Sequence, residues 1–149
     1  MSARSAAPRR LLRAAALLLV LFALGHTIGF LTLQAPTPEA RAVFDGMNSV
    51  HFSARGQTYS YGGFYRGFGL AVTAYLVFTA LVAWRLGDFV EAQPRLVGSL
   101  ALYLLGLQLA NAVLAFVYFS LPPQVTSVLM VLVVGAAVQR IARLGAAPD

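Results

Sequence analysis

The chain has no cysteine and no lysine, and only 11% of its 149 residues are charged. Without cysteine there is no thiolate nucleophile, no disulfide exchange, no thiolate ligation of an iron–sulfur cluster and no structural bridge. Compartment stays open, because a membrane bundle needs no covalent staples. Acids are scarce too: Glu39, Asp45, Asp88, Glu91 and Asp149 all fall outside the long apolar runs. A pump-type proton relay through intramembrane carboxylates therefore has no residues to use. The two histidines, His26 and His51, are not clustered with acids at metal-site spacing, and no G-x-S-x-G element marks a hydrolase. No cofactor is expected, and catalysis would rest on His26, Arg66 and tyrosines alone.

What is present is apolar. Hydrophobic residues make up 59% of the chain, and the mean hydropathy is +0.75, which excludes an ordinary soluble domain. The pI near 10.5 comes from arginines that flank apolar runs. A nucleic-acid binder needs a basic face in water, so nucleic acid is not an expected partner. The alanine and leucine excess, with arginine as the sole base, points to a GC-rich bacterial gene and a bacterial inner membrane.

Four membrane spans are predicted. Ala14–Leu33 follows a basic start and covers about 30 Å at ~1.5 Å per residue. A cleavable signal is the competing reading there. The run is longer than an ordinary signal core and lacks small-x-small before Pro36, so a retained helix is expected. The second span covers residues 67–84, closing on the interfacial pair Trp84 and Arg85; the third covers 96–119 and the fourth 121–140. The fourth is short in apolar residues and depends on Leu121 at one end and snorkelling Arg140 and Arg143 at the other. The fold class is thus an all-α four-helix transmembrane bundle forming one integral membrane domain.

Residues 34–63 form a cap outside the lipid. Thr37-Pro38-Glu39 predicts a helix start: hydroxyl cap, proline in the first turn, acid near the N-terminus. Ala40, Val43, Phe44, Met47 and Val50 fall on one face, opposite Arg41, Asp45 and Asn48, with Arg41 and Asp45 spaced to pair. Phe52 to Thr58 reads either as a short extended piece or as a loop. Arg4, Arg9, Arg10, Arg13, Arg85, Arg95, Arg140 and Arg143 lie on one side of this layout; Arg41, Arg55 and Arg66 lie on the other. The positive-inside rule then places both termini in the cytoplasm and the cap outside.

The chain turns on Tyr59-Ser-Tyr-Gly-Gly-Phe-Tyr-Arg-Gly-Phe-Gly-Leu70, where the cap becomes a membrane helix. Candidate site residues gather here and inside the spans. His26 lies about 10 Å below the outer end of the first span. An ionisable group at that depth contacts a ligand or serves as polar glue between helices, and glue is the expected role. Arg66 reads as an interfacial anchor or as a clamp for a lipid phosphate or anionic headgroup, with Tyr65 beside it. Gln108 and Asn111 share a face of the third span with Ala115 and Tyr118 and should point inward, with Thr73, Thr79, Thr126 and Ser127 as available partners. Gly25 with Gly29, and Gly63 with Gly67 and Gly69, repeat a small-residue spacing that suits helix packing.

At Gly25-His-Thr-Ile-Gly29 and Tyr61-Gly-Gly-Phe-Tyr-Arg-Gly-Phe-Gly69 the sequence resembles a group of small, uncharacterised bacterial four-helix integral membrane proteins. They carry a G-H-T-x-G-like element in the first helix and an F-Y-x-G-F-G-like element opening the second. That resemblance implies architecture and no activity. In size and span count the chain is more loosely similar to DoxX-like membrane proteins, some of which have quinone or redox roles. The leading functional expectation is a non-enzymatic membrane protein that packs, binds membrane lipid or assists a partner. The alternative is an enzyme or carrier for a small hydrophobic substrate such as a quinone or isoprenoid. A homo-oligomer or a membrane-protein partner is compatible with either.

Overall fold

The structure, a computed structural model, describes residues 3–145. Five helices and one hairpin follow in the order α1 (Ala3–Leu31), α2 (Pro38–Ser49), β1 (His51–Ala54), β2 (Gln57–Ser60), α3 (Tyr61–Phe89), α4 (Pro94–Tyr118) and α5 (Leu121–Gly145). Helices α1, α3, α4 and α5 are each long and apolar enough to cross a membrane, the make-up of a multi-pass membrane protein. Only 22–28% of their most apolar windows is buried within the chain. The outward Leu, Val and Phe side chains therefore leave these helices a largely apolar outer surface. The class is the expected all-α four-helix bundle.

Two compact units divide the chain: residues 1–22 with 77–149, and residues 23–76. In the first, four helix segments meet in a core of Leu12 from α1, Leu86 and Val90 from α3, Val97 and Ala101 from α4, and Ala137 and Ile141 from α5. Buried positions on α4 are Val97, Ala101, Leu104, Gln108 and Ala115; on α5 they are Ser127, Met130, Val134, Ala137 and Ile141. Alternating steps of three and four residues make each stripe a heptad seam. Alanines in both seams let the backbones approach, and the gain in lipid is packing rather than escape from water. Asp88 accepts from Arg13 at 3.1 Å and from Arg9 at 3.4 Å, while the Arg13 guanidinium lies 4.7 Å from the centre of the Trp84 ring. These groups are part-exposed, so the pairing is worth about 1 kcal/mol or less per bridge.

The second unit holds the end of α1, α2, the hairpin and the start of α3. Helix α2 begins as its sequence predicts: Thr37 Oγ1 accepts from the Ala40 amide at 3.2 Å, and Pro38 takes the first turn. The ambiguous stretch is an antiparallel hairpin, with Phe52 opposite Tyr59 and Ala54 opposite Gln57. Its two-residue turn has Arg55 at φ 50° and Gly56 at φ 79°, the paired positive dihedrals of a type I′ turn. Arg55 is an unusual occupant of that geometry, which hid the turn in the sequence. Ser60 Oγ then accepts from the Gly63 amide at 3.0 Å and caps α3.

Several boundaries shift. Helix α1 stops at Leu31, so Thr32 and Leu33 leave the predicted first span. Helix α5 starts at Leu121, where the fourth span was expected to begin, and Pro122 and Pro123 sit in its first turn, because proline fits a helix start. Gln124 Nε2 reaches back to the Phe119 carbonyl at 2.8 Å and closes the short connection.

Candidate functional site

The helix start at Tyr61 and the helix end at Leu31 bring the α1 row Ala23, His26, Thr27, Phe30 against the α3 row Tyr65, Gly69, Thr73. These are i, i+3 and i+4 positions, neighbours on a helix face. His26 Nε2 lies 3.1 Å from the Gly69 carbonyl oxygen. That oxygen only accepts, so the Nε2 proton is on His26. Thr27 Oγ1 donates to the Ala23 carbonyl at 2.7 Å and meets Thr73 Oγ1 at 2.8 Å. Thr73 Oγ1 also reaches the Gly69 carbonyl at 3.3 Å, so the two hydroxyls share their protons among each other and two helical carbonyls. The Phe30 ring stacks parallel to the His26 ring at 5.8 Å and meets the Tyr65 ring at 5.4 Å.

Gly69 makes this possible twice. Its carbonyl receives His26, and a Cβ on it would collide with the far end of the Phe30 ring. Gly62 does the same for the cap: a Cβ there would strike Asn48 Oδ1 and come within 3.2 Å of the Met47 carbonyl oxygen. Gly25, Gly29 and Gly67 have open space where a Cβ would stand, and Gly63 meets only the Ser60 hydroxyl. The close approach within this unit uses Gly69 and Gly62, of which Gly62 was not singled out from the sequence.

Beside this contact, still within residues 23–76, lies an open cleft of about 700 Å³. Its wall from α1 and the following loop is Phe30, Leu31, Leu33, Gln34 and Ala35; α2 gives Arg41, Phe44, Asp45, Met47 and Asn48; α3 gives Gly62, Tyr65 and Arg66. The α2 side corrects the sequence reading. Val43 and Val50 are exposed at 63% and 53%, while Ala40, Phe44 and Met47 are half-buried. Arg41, Phe44, Asp45 and Asn48 are spaced i, i+3, i+4 and i+7, so the supposed solvent row is a stripe lining the cleft. Among the described residues the salt bridges are those of Asp88, and the Arg41–Asp45 pair is not formed. Arg66 likewise makes no ion pair there.

Tyr65 and Arg66 thus line the cleft, and His26 stands one turn from its Phe30 wall. Gln108 and Asn111 belong to the other unit. Gln108 is buried at 2% exposure in the α4 seam, and its Nε2 has no hydrogen-bond partner; Asn111 is half-buried. Three of the four hydroxyls expected to serve them are engaged otherwise: Thr73 with Thr27, Thr126 with the Pro122 carbonyl, Ser127 with the Gln124 carbonyl. Tyr118, placed on the same face by spacing, is 73% exposed.

Exposed aromatics crowd the start of α3. The Phe52 ring lies 4.9 Å from Tyr61 and 6.0 Å from Phe64, and Phe64 meets Phe68 edge-on at 4.8 Å. Such rings suit the headgroup level of a bilayer. No protein-family model, curated protein or solved structure matches the chain.

Proposed function

We propose that this protein binds an amphipathic membrane molecule at the bilayer surface, in the cleft between the end of α1, helix α2 and the start of α3. The observation that carries this is the make-up of the cleft. Its volume of about 700 Å³ is that of a small-molecule site, with Phe30, Leu31, Leu33, Phe44 and Met47 as apolar wall and Arg41 and Arg66 as cations without ion partners. Apolar wall beside free guanidinium is what a chain-bearing ligand with a phosphate-like headgroup requires. In this reading the protein sits in a bacterial inner membrane with both termini cytoplasmic and the cap outside, and the ligand comes from the outer leaflet.

Binding rather than turnover is favoured by the state of His26. Its Nε2 proton is held by the Gly69 carbonyl, which supports a role as glue between α1 and α3. The test is native mass spectrometry with lipid extraction on protein purified in mild detergent, wild type beside R41Q/R66Q. Wild type should carry a bound amphiphile that the double variant loses at unchanged thermal stability. Equal retention by both, or none by wild type, would reject the reading.

A further inference from the structure

The cleft carries not only two cations but one anion, and the three charges together select a headgroup. This step rests on the amphiphile reading above. Arg41 and Asp45 stand one helical turn apart on α2, a spacing at which opposite charges readily pair, yet they form no bond. Both line the cleft with Arg66, so the site presents two guanidinium groups and one carboxylate to whatever enters it. Asn48, also in the wall, already donates Nδ2 to the Phe44 carbonyl at 3.0 Å and adds little recognition.

A purely anionic headgroup would satisfy the arginines and leave Asp45 facing charge of its own sign. A purely cationic one would meet Asp45 and oppose both arginines. A headgroup with a phosphodiester and an ammonium satisfies all three. The ammonium must also carry N–H donors, since a carboxylate gains most from charge-assisted hydrogen bonds. A quaternary ammonium has none and is held by aromatic cages instead. Of the rings in the wall, Phe30 is stacked on His26 and Tyr65 is tilted against Phe30, so two of the three are packed on neighbours rather than arranged as a box.

We infer that the cleft recognises a phosphoethanolamine headgroup on a lipid: phosphate on Arg41 and Arg66, primary ammonium on Asp45, acyl chains along Leu31 and Leu33. These two leucines are 55% and 57% exposed, which gives the chains an apolar path out of the cleft.

The experiment is native mass spectrometry from micelles doped equally with phosphatidylethanolamine, phosphatidylglycerol and phosphatidylcholine of matched chains. Wild type should retain phosphatidylethanolamine about tenfold over the other two, the discrimination of one charge-assisted hydrogen bond. Asp45→Asn should lose that preference against phosphatidylglycerol while still binding phospholipid, and R41Q/R66Q should lose both lipids. All three side chains are exposed, so these variants should fold, and matched melting temperatures check it. Glycerophosphoethanolamine, lacking acyl chains, should fail to displace the lipid at equal concentration. Wild type retaining phosphatidylglycerol or phosphatidylcholine as well as phosphatidylethanolamine would overturn the assignment, as would an unchanged preference in Asp45→Asn. Displacement by the soluble headgroup would overturn the lipid as its source. Retention of no phospholipid at all would instead remove the amphiphile reading beneath it.

Discussion

His26 and Gly69 are joined by a single hydrogen bond from imidazole Nε2 to a helical carbonyl, 3.1 Å long, and the same glycine is the seat of the Phe30 ring. One residue without a side chain thus sets the approach of α1 to α3 and the position of a wall of the cleft.

Removing the imidazole should therefore cost stability and little binding. His26→Ala should lose about 1 kcal/mol in detergent, the scale of an interhelical polar contact in membranes. Thermal unfolding checks the loss, and lipid retention at a temperature well below the transition checks that binding persists.

Adding a methyl at Gly69 should do more. The Cβ of Gly69→Ala collides with Phe30, so the ring or the helix must move, at about 1–3 kcal/mol. Gly25→Ala and Gly29→Ala face open space and should leave the monomer within about 0.5 kcal/mol of wild type. Comparing the three melting temperatures separates packing glycines from bystanders.

The cap should loosen in acid. Hydrogen bonding to the backbone amide of Glu39, and then to the Thr37 side chain, holds the Glu39 carboxyl below its ordinary value. A depressed carboxyl contributes stability that is full above its unfolded value and fades as pH falls through the folded one. Amide exchange in the first turn of α2, corrected for intrinsic pH dependence, should quicken across that acidic window. Glu39→Gln should flatten the response.

Arginine placement predicts sidedness. Cysteines introduced at Ser53, in β1, and at Ala92, between α3 and α4, should react with an impermeant thiol reagent from opposite faces of the membrane. Labelling of both from one face would contradict the topology.

The spans were legible because lipid demands long apolar runs, and α2 because Thr37, Pro38 and Glu39 each satisfy a helix N-terminus in a known way. The hairpin was not. Its strands have four residues each, and its turn uses Arg55 where asparagine is usual. The cleft was half legible. Arg66 and Tyr65 stood out beside a glycine-rich helix start, whereas Arg41 and Asp45 looked like a surface pair because i, i+4 spacing says nothing about what lies across from the helix. Gly62 was passed over because only the fold shows Asn48 lying against it.

The most direct test places three proteins in one native mass spectrometry experiment: wild type, His26→Ala and R41Q/R66Q. If the cleft is the site and His26 is glue, the bound amphiphile survives in His26→Ala and disappears in the arginine variant. Loss in His26→Ala with retention in R41Q/R66Q would contradict the account and move the site to the histidine.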